Sequence, residues 1–299
     1  MTSLRSMKRR YQRATLVAIG VIALVFLLAI LLRPREPAYQ GKRLSQWMED
    51  FDGDQETEDR AMVAVKAIGT NAVPFLLDVI RAKEPVWEPK LVWLEWKLMG
   101  LSGHREPWPG NTPTFKHQMR AIMAFQALGS SAEVAIPELT VLLQAEDTAG
   151  HAALALASIG SNAVPSLATA LTNSNAKIRA FTAIALGGVS SESTTIVPLL
   201  IHSLKDDSYS VRGMAARSLG ELRQFPELVV PALLEALQET NIFVRSSSAW
   251  ALGRLGAPAK AAVPALLKAQ SDPEEQVSRA AAYALKQIDP QVASKTDAK

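Results

Sequence analysis

Few residues of this sequence have the types and spacing that catalysis or metal binding requires. None of the four histidines, His104, His117, His151 and His202, lies four residues from another, so the paired spacing of an HExxH zinc site is absent. The chain contains no Cys, which excludes thiolate nucleophiles, disulfides and cysteine-ligated metals. It also lacks a GxSxG motif, a P-loop and a GxGxxG loop after a strand. We therefore predict no catalytic residue, no cofactor and no metal site.

One acidic stretch, residues 52–59, alternates carboxylates in the way that a calcium-binding loop does. It has no Glu at the twelfth position of such a loop, however, and acids are also favourable where a helix begins. We interpret the stretch as a solvated linker that leads into a helix N-terminus.

Three arginines, Arg179, Arg212 and Arg245, recur every 33 residues. Such a series could bind phosphates, or each arginine could bond loop carbonyls or an acid of the adjacent unit. Candidate acids are Asp206, Asp207 and Glu239. We favour the structural interpretation, because the series keeps the period of a repeat and the surrounding sequence is net acidic.

The prolines show the same period, since Pro165, Pro198, Pro231 and Pro264 are each 33 residues apart. Between them, apolar residues recur at three-residue steps as on one face of a helix. A Gly that can adopt the left-handed conformation then ends this first helix, and the Pro opens a second one without losing a hydrogen bond. Small residues crowd the first helices, which lets neighbours approach closely. Each unit is predicted to be a helical hairpin that buries its apolar face by stacking.

Seven such units are predicted over residues 57–289. Their first helices are centred on residues 57–68, 115–128, 147–159, 176–187, 209–220, 242–253 and 275–287. Six second helices are expected to begin at Pro74, Pro137, Pro165, Pro198, Pro231 and Pro264. Residues 33–56 are predicted to be a linker with a short cap helix, residues 85–113 a Trp-rich insertion and residues 290–299 a flexible tail.

A resemblance to the short HEAT-type repeat, also found in phycobilin lyases, is carried by VRSSSAWALGRLG at residues 244–256 and AVPALL at residues 262–267. The lead-in YQGKRLSQW at residues 39–47 also resembles that of membrane-anchored bacterial HEAT-repeat proteins. The resemblance implies an all-α fold, a HEAT-like α-solenoid in which helical hairpins form a superhelix. Such arrays are scaffolds with many partners, and the resemblance supplies no catalytic residue.

The N-terminus has the composition of a membrane anchor. Residues 14–32 are uncharged and, as a helix, reach about 28 Å, close to the hydrocarbon thickness of a bilayer. The run ends at Leu32-Arg33-Pro34 without the small-residue site of a cleaved signal peptide, so we predict an uncleaved single-pass anchor. Residues 1–13 form a basic flank. The positive-inside tendency places this flank in the cytoplasm and the repeat domain in the periplasm or cell exterior.

Charge is distributed unevenly along the chain. Residues 1–43 contain nine basic residues and one acid, whereas the remaining sequence contains 23 basic and 28 acidic residues. The net charge of +3 is therefore a property of the N-terminus, and the body of the protein is net acidic. An acidic body argues against nucleic acid as a partner.

One set of candidate partner-binding residues lies four residues after each proline. In the second helices, which usually line the concave wall of such arrays, we expect this position to be exposed. The row consists of Asp78, Val141, Thr169, His202, Glu235 and Lys268. Because the row is chemically mixed, an irregular protein surface is a better ligand than a regular polymer.

A second candidate site is the insertion, which holds four of the six Trp residues: Trp87, Trp93, Trp96 and Trp108. Three interpretations remain open. The aromatic residues could anchor a protein partner, fill the core of a degenerate repeat, or contact the membrane interface.

Together these features predict a non-catalytic scaffold or adaptor that is tethered to a membrane. It would bind a protein partner through the solenoid surface and through the Trp-rich insertion. The alternative is a chromophore (bilin) lyase-like enzyme, because the repeat also occurs in such lyases, although no reaction centre is marked in the sequence.

Overall fold

The computed structural model describes residues 36–85, Lys90 and residues 112–297, which are mostly helical. Seven first helices are present among these residues: α2 (Gln55–Ile68), α4 (Pro113–Leu128), α6 (Ala149–Ile159), α8 (Ala176–Gly187), α10 (Tyr209–Leu222), α12 (Ile242–Leu255) and α14 (Glu275–Ile288). Six second helices alternate with them: α3 (Val73–Arg81), α5 (Ile136–Leu142), α7 (Val164–Ala170), α9 (Ser193–Ser203), α11 (Pro226–Ala236) and α13 (Val263–Ala269). The predicted all-α solenoid of helical hairpins is confirmed.

The predicted membrane anchor, residues 14–32, and its basic flank, residues 1–13, lie outside the described residues. Among the described residues, Gln55–Arg81 has the length and apolar composition of a membrane span, with half of its apolar window buried inside the fold. That stretch is the first helical hairpin of the array, α2 and α3 joined by a short 3-10 turn.

A hairpin and a short helix precede the first unit. Strands β1 (Ala38–Tyr39) and β2 (Lys42–Arg43) pair antiparallel across Gln40 and Gly41, whose φ values of 49° and 78° suit a two-residue hairpin turn. Helix α1 (Leu44–Glu49) follows and packs against α2 and α4. The structure thus has the predicted cap helix in the linker, and adds a hairpin whose strands are too short to leave a periodic sequence signal.

The acidic stretch before α2 leads into a helix N-terminus, as we interpreted it. The Asp54 side chain accepts a hydrogen bond from the Thr57 N–H (2.9 Å) and caps α2. Asp52 pairs with Arg120 on α4 at 2.6 Å. Its carboxylate therefore helps to fasten the first two units together.

Glycines end four of the first helices, and all four have positive φ: Gly69, Gly129, Gly160 and Gly256. Their ψ values, between −134° and −146°, differ from the left-handed helical conformation that we expected. The four residues occupy instead an extended region with positive φ that is open mainly to glycine. The helix stop is therefore made by glycine, but by a different turn.

Four of the predicted prolines lie in the first turn of a second helix, where the missing N–H costs little: Pro74, Pro137, Pro165 and Pro264. Pro198 and Pro231 instead lie inside α9 and α11, which begin at Ser193 and Pro226. The prediction that these two prolines open their helices is wrong. In the second of these units another proline, Pro226, occupies the first turn of α11 instead.

The first helices of adjacent units pack along small residues. A Cβ added to Gly187 would lie 2.7 Å from the Cβ of Ser218, and one added to Gly220 would lie 2.7 Å from the Cα of Ala251. Gly253 meets the next unit in the same way. Because real Cβ atoms do not approach other atoms so closely, these glycines set the distance between units. The second helices make fewer contacts with each other, which leaves clefts between them.

The C-terminus differs from the flexible tail predicted for residues 290–299. Helix α15 (Pro290–Asp297) continues the array and packs on α14. Pro290 occupies its first position, the Asp289 carboxylate accepts from the Val292 N–H at 3.2 Å, and the Ala293 side chain is buried. Residues 290–299 are mostly polar, so the sequence pattern did not indicate this cap and this packing.

Candidate protein-interaction surface

The three periodic arginines form what we call the arginine ladder: Arg179, Arg212 and Arg245. Arg179 on α8 donates from Nε and Nη2 to the two carboxylate oxygens of Asp206, both at 2.7 Å. Its Nη1 donates to the carbonyl oxygens of Asn173 and Ser174, at 2.8 and 3.2 Å. A single guanidinium thus fastens the loop before its own helix to the loop of the next unit.

The other two members of the ladder repeat this arrangement in successive units. Arg212 lies 2.9 Å from Glu239 and donates to two loop carbonyls, and Arg245 donates to both oxygens of Asp272 at 3.0 and 3.1 Å. The structural interpretation of the series is confirmed. Asp272 was not among the acids that we expected, although its offset of 27 residues from Arg245, equal to that of Glu239 from Arg212, could have identified it.

The ladder lowers the pKa of its aspartates. For Asp272 the main cause is the hydrogen bond from Arg245. For Asp206, burial is the largest contribution and opposes ionisation, but hydrogen bonds from Arg179 and from the Ser208 N–H outweigh it and keep the pKa below its usual value. Both carboxylates are therefore ionised at neutral pH and are held by partners within the array.

Two clefts lie between consecutive second helices, directly over the ladder. The first cleft, between α7 and α9, has a volume of about 470 Å³ and contains Arg179 in its wall. The second, between α9 and α11, has a volume of about 680 Å³ and contains Arg212. Their linings correspond at the 33-residue period, so that Glu235 in the second cleft occupies the position of His202 in the first. The two clefts are copies of one site with different side chains.

Charges that the ladder does not use are found at the second cleft. Lys205 lies on the wall between the clefts, and its Nζ lies 4.0 Å from Glu235, with both side chains mostly exposed. Asp207 is exposed beside them. Exposed ion pairs of this kind add little stability, and their groups remain accessible to a ligand.

All six residues of the predicted row on the second helices are exposed: Asp78, Val141, Thr169, His202, Glu235 and Lys268. The structure places His202 and Glu235 in the two clefts. Asp78 lies on α3, where it pairs with Arg81 at 2.8 Å, and Lys268 lies on α13. Partner binding by this row stays a prediction.

Two histidines are packed against aromatic rings. The ring of His151 contacts Phe115 edge-on, with centroids 5.5 Å apart, and burial lowers its pKa. His117 packs similarly on Phe75, and burial together with the charge of Arg120 lowers its pKa. Within the part of the chain that the structure describes, no three His, Asp or Glu side chains cluster in a way that could hold a metal ion.

The predicted insertion, residues 85–113, falls almost entirely outside the part of the chain that the structure describes. Its four tryptophans lie outside the described residues: Trp87, Trp93, Trp96 and Trp108.

Comparison with known proteins agrees with this architecture. The sequence profile of HEAT repeats matches residues 164–253 and 230–296. No curated protein sequence is detectably similar to the chain. The matched residues include the arginine ladder and the lining of both clefts. The chain therefore contains HEAT repeats.

Solved structures of α-solenoids are also similar. Kap121p is 14% identical over 82% of this chain and 29% of its own, with a TM-score of 0.53. The CpcE–CpcF complex of phycocyanin lyase from Nostoc sp. PCC7120 is 25% identical over 50% of this chain and 98% of its own, with a TM-score of 0.44. A designed armadillo repeat protein in complex with the peptide (KR)4 is 14% identical over 82% and 99%, with a TM-score of 0.44. The similarity to Kap121p supports the solenoid fold and nothing beyond the fold.

Proposed function

We propose that this protein is a non-catalytic scaffold or adaptor that binds a protein partner along its second helices. A solenoid of HEAT repeats is suited to protein–protein interaction, because stacking leaves one long surface whose side chains vary from unit to unit. The observation that supports the proposal is the pair of clefts over Arg179 and Arg212, which repeat the same geometry with different exposed side chains.

The chemistry of the clefts favours a polypeptide as the ligand. Each cleft is open, has apolar residues in its wall and is flanked by exposed charges of both signs. The charges nearest the opening of the second cleft are Lys205, Asp207 and Glu235. A partner chain that crosses both clefts would meet a different set of groups at each step, which gives specificity without a repeated ligand.

We also propose that the protein acts at a membrane, held by residues 14–32, with the repeat domain in the periplasm or cell exterior. The charge-free run and its basic flank support this proposal. Extraction of native membranes with alkaline carbonate tests it. The full chain should stay in the membrane pellet, and removal of residues 1–35 should release the repeat domain. Release of the full chain would contradict the anchor.

Site-specific photocrosslinking in the native membrane tests partner binding. A photoreactive amino acid at His202 or Glu235 should capture one defined protein, identified by mass spectrometry, whereas the same probe at the exposed position Lys260 should not. Capture should fall when Glu235→Lys is combined with the probe at His202. Binding in the clefts would be contradicted if the probe at Lys260 captured the same protein equally well, or if Glu235→Lys did not reduce capture by the probe at His202.

Two further arms address the remaining alternatives. Replacing Trp93 and Trp96 by Ala should weaken capture if the insertion contributes to the interface. Mixing the purified protein with a bilin and recording visible absorbance tests the lyase-like alternative. The non-catalytic proposal expects no spectral change, and a stable covalent adduct would overturn it.

A further inference from the structure

An aromatic and basic cluster lies on the first helices. Ile184, Arg217, Trp250 and Tyr283 are spaced by 33 residues on α8, α10, α12 and α14. Arg217 and Tyr283 are exposed, and the other two side chains are half-buried. Since packed helix axes lie about 8–10 Å apart, these four positions form a line of about 27 Å across four helices.

Two guanidinium groups flank the indole ring at the centre of this line. The Arg217 guanidinium lies 5.0 Å and that of Arg254 5.4 Å from the centroid of the Trp250 ring. Arg254 also pairs with Glu221 at 2.6 Å. Among the residues that the structure describes, Arg217 has no carboxylate partner, so the cluster holds two cations and one anion.

Such a guanidinium is prepared to bind a carboxylate. Stacking on an aromatic ring restricts the orientation of Arg217 while its N–H donors stay available for a bidentate pair. The ladder arginines differ in this respect, because their donors are already used by loop carbonyls and acids. The unpaired charge at Arg217 also stands out on a body that is net acidic.

We propose that the cluster formed by Ile184, Arg217, Trp250, Arg254 and Tyr283 binds a short acidic segment of a protein partner. A carboxylate of the segment pairs with Arg217, and apolar side chains beside it contact Trp250 and Tyr283. An extended segment of about eight residues spans the line, at about 3.3 Å per residue. The single unpaired cation suits one such segment and is too few for a polyanion such as a nucleic acid or an anionic lipid surface.

This surface does not depend on the clefts. Those clefts lie between second helices, whereas the cluster is built only from first helices. The protein would accordingly bind two partners, or two parts of one partner, with separate residues. The variant Glu235→Lys should weaken binding in the clefts and leave binding at the cluster unchanged. Failure of the proposed cleft binding can therefore be told apart from failure of the proposed cluster binding.

Fluorescence anisotropy with the full-length protein in detergent tests the cluster. The probe is a labelled octapeptide that alternates Glu and Leu, and the control peptide alternates Lys and Leu. We expect the acidic peptide to bind and the basic one not to bind. Arg217→Glu should weaken binding about tenfold or more, because repulsion replaces attraction. The matched control is Arg279→Glu, the same charge change on α14 at a side chain that is 77% exposed.

Two variants separate recognition from folding. Trp250→Phe keeps a ring beneath Arg217 and should retain most of the binding, whereas Trp250→Ala should lose it; thermal melts by circular dichroism check that both fold. The proposal is overturned if the acidic peptide does not bind, or if Arg217→Glu and Arg279→Glu have equal effects. It is also overturned if the protein ignores the peptide but binds vesicles containing phosphatidylglycerol through Arg217, which would assign the cluster to a lipid surface.

Discussion

Replacing Arg245 by Ala should uncouple the last units of the array. Arg245 donates two hydrogen bonds to Asp272 and two to the carbonyl oxygens of Glu239 and Thr240, between 2.7 and 3.1 Å. The side chains of Arg245 and Asp272 are only 14% and 13% exposed. Their interaction is therefore screened less than that of a surface pair, and its loss leaves a half-buried carboxylate without its cation.

The size of the effect follows from these four hydrogen bonds. The pair with Asp272 contributes about 2 kcal/mol, and the two carbonyls, which regain water in the variant, contribute about 0.5 kcal/mol each, so the loss should be about 3 kcal/mol. In a linear array each unit contacts only its neighbours. The loss should therefore appear as early unfolding of the units that follow Arg245, ahead of the rest of the chain.

Urea denaturation followed by circular dichroism at 222 nm measures this. We expect a single transition to separate into two for Arg245→Ala, with the smaller one at lower urea. Arg245→Lys should recover part of the stability, because an ammonium can bond Asp272 but cannot span the acid and both carbonyls. The control Arg279→Ala removes an exposed i,i+4 pair with Glu275 and should change stability by no more than about 0.5 kcal/mol. If Arg245→Ala unfolds like Arg279→Ala, the ladder does not couple the units.

Two further predictions follow from the packing and charges of the array. Gly220→Ala should destabilise the protein by about 1 kcal/mol, even though Ala is the better helix former, because the new Cβ would overlap the backbone of Ala251 at 2.7 Å and overpacking outweighs the gain in propensity. The matched control is Gly188→Ala, at an exposed glycine with φ of −85°. A urea midpoint for Gly220→Ala above that of the wild type would show that the helices move apart at no cost. Stability should also fall below about pH 4, the usual aspartate pKa, because folding lowers the pKa of Asp206 and Asp272. Their contribution to stability is full above that pH and is lost as the two carboxylates become protonated. Urea midpoints between pH 7 and pH 3 measure this loss, which should be smaller for Arg245→Ala than for the wild type.

The period of the sequence predicted the fold because it is a direct consequence of stacking. Pro and the ladder arginines recur every 33 residues since each unit must continue into a second helix and join its neighbour at the same places. Small residues were expected to let the first helices approach closely, and the structure places Gly220 against the next helix. Where local chemistry repeats, one unit predicts the others.

The errors lie where a competing local signal or a small buried contact decides where a helix begins. Pro231 was expected to open α11, but Pro226, five residues earlier, occupies the first turn of that helix. Residues 290–297 looked like a polar tail, because the single buried Ala293 and the Asp289 cap are too few to give a periodic pattern. Packing of this kind depends on which surface lies opposite, and that surface is set by the whole array.

The same distinction separates structural residues from ligand-binding ones in the two proposed sites. Positions that keep their residue type, such as the ladder arginines, have their donors used inside the array and cannot recognise a partner without loosening it. Positions that change type at the same period, His202 to Glu235 and Arg217 to Trp250, are partly or fully exposed. Selection for a partner can act on these at a lower cost in stability. The irregular positions of a regular array are therefore where specificity is expected, and both proposed surfaces are built from them.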